Sequence, residues 1–447
     1  MLNLVHYFGA SNVYISIYES GSWDNSKGAL RELDTELAKL DVPRTITLDE
    51  KTHQEELAHP PSRETEGWIQ PPKTVSNHRK WELRRIPYLA RLRNLSLKPL
   101  DELEKKGNTT TRFDKILFLN DVVFTTADIR TLLATRDGDY AAACSLDYSK
   151  PPAYYDTFAL RDAAGHEAAN PTFPYFRDAY SRAAIMRNEP VPVQSCWNGI
   201  AVFDAAPFYG EAWDGRAGAQ AEDKKEINGI KEEESTAEKP KEAIQNKISE
   251  GEILTGTGSE GVITPKDHQK PKSATKRTKS SRKLVARRDT AKSNTGGLRF
   301  RGLSDSLARH HVEGSECCLI HIDNPLSATR GVWVNPAVRV GYSGEAYDAV
   351  HASPLPSSNK DTPLNHDATT EGLSKQWMTG TAVVRGIWGN RFRRWTRSVA
   401  WKERRVKKRV QAWRDEGAKI GEEREERGTV CLINEMQVLR ENGWAHV

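Results

Sequence analysis

Residues 116–122 read ILFLNDV, a short apolar run that predicts a β-strand and ends on Asn120 and Asp121. A second run, YAAACSL at 140–146, is followed in the same way by Asp147. Ligands of open α/β sheets bind at the edge where the strands end. Two carboxylates there predict a binding site, and an exposed carboxylate such as Asp121 suits a divalent metal ion that clamps a diphosphate.

The charge of the chain is unevenly distributed. Its 447 residues can form one large or two ordinary cores, and a mean hydropathy of −0.68 predicts that part of the chain is unfolded. The net charge is +5, but residues 266–292 carry +9 and residues 385–414 carry +11, which leaves −15 for the rest. A nucleic-acid-binding domain needs a basic core face, so this distribution argues against one, and no nucleic-acid partner is expected.

Targeting signals and metal-binding cysteine pairs are not recognisable. No run of eighteen apolar residues predicts a membrane span, and residues 1–10 do not read as a signal peptide. The five cysteines include no CxxC pair, which argues against a zinc module, and their odd number defines no disulfide framework. We expect Cys317 and Cys318 to be small strand residues, with a bridge to Cys144 or Cys196 as the alternative.

The first fifty residues predict a strand, a helix and a second strand. Residues 13–18 and 44–48 are rich in β-branched and aromatic side chains, and leucines at helical spacing lie between them. This order is the opening of a nucleotide-binding α/β unit. The first strand runs into a polar turn formed by Tyr18, Glu19, Ser20 and Gly21. That turn is predicted either to contact a nucleotide or to cap the following helix.

Polar residues after the second strand extend the candidate site. Asp128 has a structural explanation in the first turn of a predicted helix, whereas Asp121 has none and is predicted to bind metal or substrate. The loop-like stretch further on adds three candidates: Asp156, Arg161 and Asp162. An arginine between carboxylates predicts either a buried structural pair or a ligand for sugar hydroxyls or phosphate.

Two further stretches carry residues suited to a hydroxyl-bearing acceptor. In SCWNGIAVFD at 195–204, Trp197 can stack on a sugar ring, Asn198 can bond hydroxyls, and Gly199 lets the backbone approach a ligand. A plain turn before a core strand is the alternative. Glu316 leads into an apolar run and is predicted to bind an acceptor hydroxyl or act as a base, with a salt bridge as the alternative. Together these residues predict a nucleotide-sugar-dependent glycosyltransferase.

Composition divides the chain into four parts. Residues 11–213 and 297–343 are predicted to form one α/β domain, and residues 344–375 a loop. Residues 214–296 contain no Phe, Trp, Tyr, Met or Cys, so they cannot bury enough apolar surface to offset the entropy of ordering and are predicted to be a disordered insertion. Residues 376–447 are predicted to be a basic helical tail.

The predicted tail contains Trp388, Trp395, Trp401 and Trp413 among many Lys and Arg residues. Such a composition is found at membrane surfaces and at nucleic-acid interfaces. We favour a third interpretation, a solvated helix that packs on the domain through its Trp face.

Eight motifs follow one another along the chain: VYISIYESGS at 13–22, FLNDV at 118–122, AACSL at 142–146, YDTFALRD at 155–162, SCWNGIAVFDAAPF at 195–208, LRFRGL at 298–303, SECCL at 315–319 and VNPAVRVGY at 334–342. Their sequences and their order resemble the fungal capsule-associated, cryptococcal-type mannosyltransferase family. That family is described as α-1,3-mannosyltransferases that use GDP-mannose, type II membrane proteins of the secretory pathway.

The resemblance implies a GT-A-like nucleotide-sugar-binding fold with a central mixed sheet. It places Asn120 and Asp121 where GT-A enzymes carry a metal-binding Asp-x-Asp motif, although the second aspartate is missing. Asn198 and Gly199 resemble the Asn-x-Gly acceptor turn of retaining transferases, shortened by one residue. Glu316 resembles the acidic residue near the acceptor.

The predicted site therefore comprises four sets of residues. The catalytic set is Glu316, Asp147, Asp156, Arg161 and Asp162. The donor-binding set is Tyr18, Glu19, Ser20, Gly21 and Asn120, and the acceptor-binding set is Trp197, Asn198 and Gly199. Asp121 is predicted to hold Mn²⁺ or Mg²⁺.

The predicted function is transfer of mannose from GDP-mannose to a glycan hydroxyl in fungal polysaccharide or glycoconjugate synthesis. The resemblance implies a Golgi membrane location and an anchor ahead of the first strand, yet the sequence begins almost on that strand, so a truncated chain and a soluble member are both expected alternatives. The alternative functions are a catalytically degenerate transferase-fold scaffold, and membrane-surface or nucleic-acid binding through the basic tail.

Overall fold

The computed structural model describes residues 1–70, 81–105, 112–209, 297–351 and 380–447. Its strands are β1 (Ile15–Ser20), β2 (Arg44–Asp49), β3 (Trp68–Ile69), β4 (Glu82–Leu83), β5 (Lys115–Leu119), β6 (Ala142–Lys150), β7 (Ala153–Tyr154), β8 (Arg161–Asp162), β9 (Val191–Ser195), β10 (Ile200–Asp204), β11 (Glu313–Gly314), β12 (Val332–Gly341), β13 (Leu432–Ile433), β14 (Gln437–Arg440) and β15 (Gly443–His446). Its α-helices are α1 (Leu2–Phe8), α2 (Ser26–Lys39), α3 (His53–Ala58), α4 (Arg85–Lys105), α5 (Thr126–Leu133), α6 (Ala179–Arg187), α7 (Asp305–Ala308), α8 (Glu316–Asp323), α9 (Ser327–Arg330), α10 (Gly344–His351), α11 (Gly380–Thr396) and α12 (Ser398–Lys419).

A mixed sheet organises these elements. Its strands follow the order β5–β10–β6–β12–β9–β8, and β7 pairs with β6. Strand β10 runs antiparallel to both of its neighbours, and β12 runs parallel to β6. Strands β5, β6 and β12 therefore point the same way, which brings the residues after β5 and β12 to the same edge of the sheet. The predicted α/β class with a central mixed sheet is confirmed.

The strand sequences explain why this sheet is buried on both faces. Residues of β6 from Ala142 to Tyr148 are all buried. On one face, Cys144 and Leu146 pack with Phe203, while on the other Ala143 packs with Val202 and with residues of helix α5. This alternation is the period of two that a strand imposes. Each fully buried large apolar side chain stabilises the fold by ~1.5–3 kcal/mol.

The predicted strand–helix–strand unit is present at the start of the chain, but its strands do not join the main sheet. Strands β1 and β2 pair in parallel as a separate two-stranded sheet. Helix α2 contributes Leu37 to a small core with Val5 and Val42. Helix α4 lies against β1, where the Ser16 hydroxyl donates to the Ser96 carbonyl at 2.5 Å. The polar turn after β1 therefore lies beside α4.

The C-terminal segment differs from the predicted helical tail. Helices α11 and α12 are followed by three strands, and β13 pairs with β11 while β14 pairs with β15. This segment belongs to the same compact unit as the main sheet. Residues 344–351, predicted as loop, form helix α10, which packs on β12. Strand β13 has a partner far away in the sequence, whereas β14 pairs with the next strand and α10 follows β12 directly.

The cysteines also correct a prediction. Cys317 and Cys318 lie in helix α8 and not in a strand, because a short buried apolar run has the same composition in either structure. Disulfides join Cys144 to Cys196 and Cys318 to Cys431, and Cys317 is free and buried. The second disulfide ties the C-terminal segment to α8 across 113 residues.

Two predicted segments fall outside the described ranges. The predicted disordered insertion at 214–296 lies wholly outside them, and so does the part of the predicted loop after residue 351. None of the helices in the described ranges combines the length and the apolar character that crossing a bilayer requires.

A buried ion pair supports a testable prediction about stability. The fully buried guanidinium of Arg84 donates to the Glu313 carboxylate at 2.8 Å, to Asp305 at 2.7 Å and to the Leu303 carbonyl at 2.8 Å. In Arg84→Met the Glu313 charge stays buried without its partner, so we expect a loss of about 3–5 kcal/mol in the free energy of unfolding by urea titration. Adding Glu313→Gln removes that charge and should recover part of the loss. A double variant no more stable than Arg84→Met would contradict this explanation.

Candidate functional site

A group of acidic and tyrosine side chains lies at the sheet edge where β5 and β12 end. Asp121 follows β5 and is exposed, and Tyr342 follows β12 and is half-buried. The Tyr342 hydroxyl donates to Asp147 Oδ2 at 3.0 Å. Burial and the nearby charges of Asp147, Asp156 and Asp121 raise the pKa of Tyr342. Three of the predicted site carboxylates therefore surround this one tyrosine.

Asp147 lies inside strand β6 and not at its end, which corrects the prediction. Its carboxylate is fully buried and accepts from the Asp156 amide at 3.1 Å and from Asn198 Nδ2 at 3.5 Å, as well as from Tyr342. Burial, and after it the charge of Asp156, raises the pKa of Asp147 to about 7. Because its oxygens face protein donors, Asp147 positions its neighbours and does not present a free carboxylate.

Asp156 is the second carboxylate of this group. Its Oδ1 atom accepts from the amides of Phe158 and Ala159 at 3.1 and 3.2 Å. Burial is the main cause that raises the pKa of Asp156, and the charge of Glu316 adds to it. The structure therefore brings Glu316 into one electrostatic environment with Asp147 and Asp156, although Glu316 is far from both in sequence.

The predicted acceptor turn, formed by Asn198 and Gly199, packs against Asp147 and Asp156. Asn198 and Gly199 both have positive φ, 42° and 84°. Asn198 is fully buried and donates to the Asp156 carbonyl at 3.1 Å. A Cβ on Gly199 would lie 2.7 Å from Val340 Cγ2 and 3.0 Å from Asp147 Cβ, so only glycine fits there. These contacts correct the prediction that both residues face an acceptor.

Trp197 is buried and does not offer a ring face to a sugar. Its ring lies 5.2 Å from that of Phe118 and 5.6 Å from that of Phe300, and the Arg93 guanidinium lies 4.6 Å from it. Its Nε1 donates to Asn120 Oδ1 at 3.2 Å. The predicted stacking role is therefore wrong for this residue, because its ring is buried against Phe118 and Phe300 and the Arg93 guanidinium lies over it. Trp197 instead holds Asn120 and Arg93 in place.

Glu316 begins helix α8 and is almost fully buried. Arg93 of helix α4, with 26% of its side chain exposed, donates from Nε to Glu316 Oε1 at 3.1 Å. Burial works to lower the pKa of Arg93, but the surrounding acidic groups, Glu316 and Asp156 among them, outweigh it and raise that pKa. The sequence indicates Arg93 only as one of several arginines of this helix that could face a diphosphate or form a solvated surface. Its ion pair with Glu316 could not be recognised, because the two residues are 223 positions apart.

Arg161 and Asp162 have structural contacts. The Arg161 guanidinium is fully buried and donates to four backbone carbonyls, two of them in the C-terminal segment at Val430 and Cys431. The Asp162 carboxylate accepts from the amides of Ala164, His166 and Asp178. Both residues are buried and have structural contacts, but these contacts are with the backbone and do not form the predicted buried pair, and the catalytic assignment is corrected.

The turn after β1 is held by its own contacts. The Tyr18 hydroxyl donates to Asp49 Oδ2 at 2.5 Å, and the buried Glu19 carboxylate accepts from the Ser22 amide. The Ser20 hydroxyl lies 3.2 Å from that of Tyr88 in helix α4. Gly21 has a φ of 70°, and a Cβ there would lie 2.7 Å from the Lys51 carbonyl oxygen.

Helix α4 connects this turn to the edge of the main sheet. Tyr88 contacts Ser20 at the turn, and Arg93 contacts Trp197 at the sheet edge. The two side chains start about 7.5 Å apart along the helix axis, because each residue adds ~1.5 Å. Helix α4 thus contacts the turn after β1 at Ser20 and the neighbourhood of Asn120 through Trp197.

A cavity of about 630 Å³ opens beside Tyr155. Tyr155 is 61% exposed, and its ring lies 4.8 Å from that of Tyr342. Other residues that line the cavity are Lys150, Glu167, Arg393 and Lys402. Tyr155 begins the YDTFALRD motif but was not among the residues predicted from the sequence. An exposed aromatic ring next to acidic side chains is a feature of sugar-binding surfaces.

Metal-ligating side chains give one cluster in the described part of the chain. It consists of Cys144, Cys196 and His321, but the two sulfur atoms form a disulfide and burial lowers the pKa of His321 to about 4. Asp128 accepts from the Thr125 amide and caps helix α5, as its predicted structural role requires. Asp121 remains the exposed carboxylate at the sheet edge.

Comparison with known proteins gives two findings. A family model described as Cryptococcal mannosyltransferase 1 matches residues 1–323. Alpha-1,3-mannosyltransferase CMT1 of Cryptococcus neoformans is 32% identical over 136 residues, which cover 28% of this chain and 29% of that relative. The chain thus matches less than a third of the relative's length. No solved structure matches this chain.

The buried carboxyl of Asp147 makes stability depend on pH. Its pKa rises from 3.8 to about 7 on folding, so between these values the folded state binds more protons than the unfolded state. The free energy of unfolding should then fall as pH rises from about 4 to 7, by at most about 1.4 kcal/mol per unit. In Asp147→Asn this contribution is absent. As pH rises from about 4 to 7, urea titrations should therefore show the free energy of unfolding of the variant increasing relative to that of the wild type.

The exposed Asp137→Asn variant serves as the control for this pH series, because an exposed carboxylate contributes little to such a difference. Its profile should follow that of the wild type. Parallel profiles for Asp147→Asn and wild type would show that the Asp147 carboxyl does not hold the proton.

Proposed function

The chain belongs to the cryptococcal mannosyltransferase 1 family, and on that premise we propose that it is a mannosyltransferase that moves mannose from GDP-mannose to a glycan hydroxyl in α-1,3 linkage. The observation that carries the proposal is the exposed carboxylate of Asp121, directly after β5, beside a group of buried and half-buried polar side chains. A mixed sheet with this carboxylate at its edge also supports a GT-A-like fold.

We propose that Asp121 holds a Mn²⁺ or Mg²⁺ ion. The residues fit such an ion, because Mg²⁺ is commonly bound by one or two carboxylates together with substrate phosphates and waters. The neighbouring Asn120 oxygen already accepts from Trp197, so Asp121 would be the direct protein ligand. The ion would neutralise the charge that develops on the leaving GDP.

Arg93 is proposed to face the diphosphate of the donor. Its side chain is partly exposed, its guanidinium lies over Trp197, and Glu316 orients that guanidinium through Nε. Because the contact with Glu316 is made through Nε, the edge of the guanidinium that carries both terminal nitrogens can form paired hydrogen bonds with phosphate oxygens. Glu316 then acts as a positioning residue for Arg93.

The acceptor is proposed to bind in the cavity beside Tyr155. A volume of about 630 Å³ lies in the range of small-ligand sites, and the exposed Tyr155 ring offers an apolar face for a sugar. The Tyr342 hydroxyl donates to Asp147, which leaves its oxygen free to accept from a substrate hydroxyl. If configuration is retained, the acceptor attacks from the leaving-group side and no protein nucleophile is needed.

The proposed location is the oxidising secretory pathway, in agreement with the Golgi assignment implied by the resemblance. Disulfides persist in oxidising compartments and are rare in the cytosol. The two disulfides, Cys144–Cys196 and Cys318–Cys431, support this location.

A catalytically degenerate scaffold is the second candidate. The observation that favours it is the single aspartate at the end of β5, where the Asp-x-Asp motif would have two. A scaffold would fold normally but would show no metal-dependent affinity for GDP or GDP-mannose.

Calorimetric titration separates the two candidates. GDP and GDP-mannose are titrated with and without Mn²⁺ into wild type, Asp121→Asn and the exposed control Asp137→Asn. For the transferase we expect binding that requires Mn²⁺ and that Asp121→Asn weakens at least about tenfold, equal to about 1.4 kcal/mol. Asp137→Asn should bind like the wild type. Absence of binding to a folded wild type would exclude the donor proposal, and equal binding by Asp121→Asn would exclude this aspartate as the metal ligand.

A further inference from the structure

Helix α11 carries a stripe of exposed apolar side chains. The stripe comprises Val384, Trp388, Phe392 and Trp395, whose exposed fractions are 55%, 63%, 61% and 79%. Residues spaced by three or four lie on the same side of a helix, so these four form one continuous face. Isolated exposed apolar residues are normal on a protein surface, but a contiguous row of this kind marks an interaction surface.

The opposite face of α11 is fixed to the body of the protein. Asn390 is buried and donates to the Phe176 carbonyl at 3.0 Å, and Arg393 donates to the Ala169 carbonyl at 3.2 Å. A Cβ on Gly386 would meet the Phe173 carbonyl oxygen, so the helix backbone lies directly against that loop. The helix therefore cannot turn its apolar stripe inward without losing these contacts.

Helix α12 is also fixed to the body of the protein by its inner face. Its inner residues Val406, Val410 and Trp413 are buried in a core that includes Leu307 and Cys318. These contacts confirm the predicted packing for Trp413 alone. Trp388, Trp395 and Trp401 are exposed, so the prediction that the tail packs through its Trp face is wrong for those three.

The outer face of α12 combines one aromatic ring with cations. Trp401 is 62% exposed, and Arg404, Arg405 and Lys408 follow it at helical spacing and are exposed as well. The Arg405 guanidinium lies 5.5 Å from the Trp401 ring, and that of Arg391 lies 5.1 Å from the Trp388 ring. Residues 385–414 carry a net charge of +11. The apolar stripe thus lies within a strongly basic segment.

We propose that the outer face of α11 and α12 binds the surface of an anionic phospholipid bilayer. This docking face is defined by two exposed sets on consecutive helices: Trp388, Phe392 and Trp395 on α11, and Trp401, Arg404 and Arg405 on α12. Trp and Phe side chains enter the interfacial region of a bilayer, and Lys and Arg near an anionic surface each contribute to attraction. The helices lie on the membrane and do not cross it.

The chemistry favours lipid over nucleic acid or a second protein chain. Proteins that bind single strands place their aromatic rings in a basic groove that follows the backbone. Here the rings of Trp388, Phe392 and Trp395 lie in a row on the exposed side of helix α11. The core of a protein–protein interface is depleted of charged residues, whereas this face combines exposed rings with a strong excess of cations.

Vesicle co-sedimentation tests the proposal on the full chain. Vesicles of phosphatidylcholine alone are compared with vesicles that also contain phosphatidylserine. We expect binding to the second kind only, weakened by added salt because surface attraction is screened. Trp388→Ala/Trp395→Ala and Arg404→Glu/Arg405→Glu should each weaken this binding at least about tenfold, since each removes one of the two attractive contributions.

The control is Trp444→Ala, which removes another exposed tryptophan outside the docking face. It should bind vesicles like the wild type, and all variants should keep the wild-type circular dichroism. Vesicle binding that is unaffected by both double variants would overturn the proposal. An absence of vesicle binding would also overturn the proposal. So would the finding that the same residues form a dimer or bind RNA instead of vesicles. None of these outcomes depends on transferase activity.

Discussion

The candidate site is built around one buried ionisable group, the carboxyl of Asp147 in the interior of strand β6. A buried carboxylate is costly unless donors surround it. Tyr342, Asn198 and the Asp156 amide supply these donors, and each comes from a different part of the chain. Gly199 is required beside them because a side chain would collide with Val340 and Asp147. The same constraint therefore determines the turn after β9, the loop after β7 and the residue that follows β12.

A second constraint is the closure of the domain by its C-terminal segment. Arg161 donates to the carbonyls of Val430 and Cys431, and Cys431 forms a disulfide with Cys318 in helix α8. Helix α8 begins with Glu316, which orients Arg93. The C-terminal strands thus stabilise the helix that positions a proposed donor contact. This arrangement explains why Arg161, which was predicted to be catalytic, serves packing instead.

Helices α11 and α12 each have an inner face that packs on the domain and an outer face that is exposed to solvent. Their inner faces supply Asn390, Val406 and Trp413 to the packing of the domain. Their outer faces leave aromatic and basic side chains in solvent. The same helices also contribute Arg393 and Lys402 to the cavity beside Tyr155. Helices α11 and α12 therefore contribute to both the proposed acceptor cavity and the proposed docking face.

The sequence alone determined the features that depend on near neighbours and on long motifs. The strand–helix–strand start, the strand before Asp121 and the place of Asp128 in the first turn of a helix follow from residues close together in the chain. The family follows from short motifs and their order along the chain. Tertiary structure alone decided which side chains are covered. It made Trp197 a core residue, turned the run at Cys317 into a helix, and paired Arg93 with a carboxylate 223 residues away. The physical reason is that burial, ion pairs and disulfides depend on distances in space, whereas sequence patterns report only the periodicity of local backbone structure.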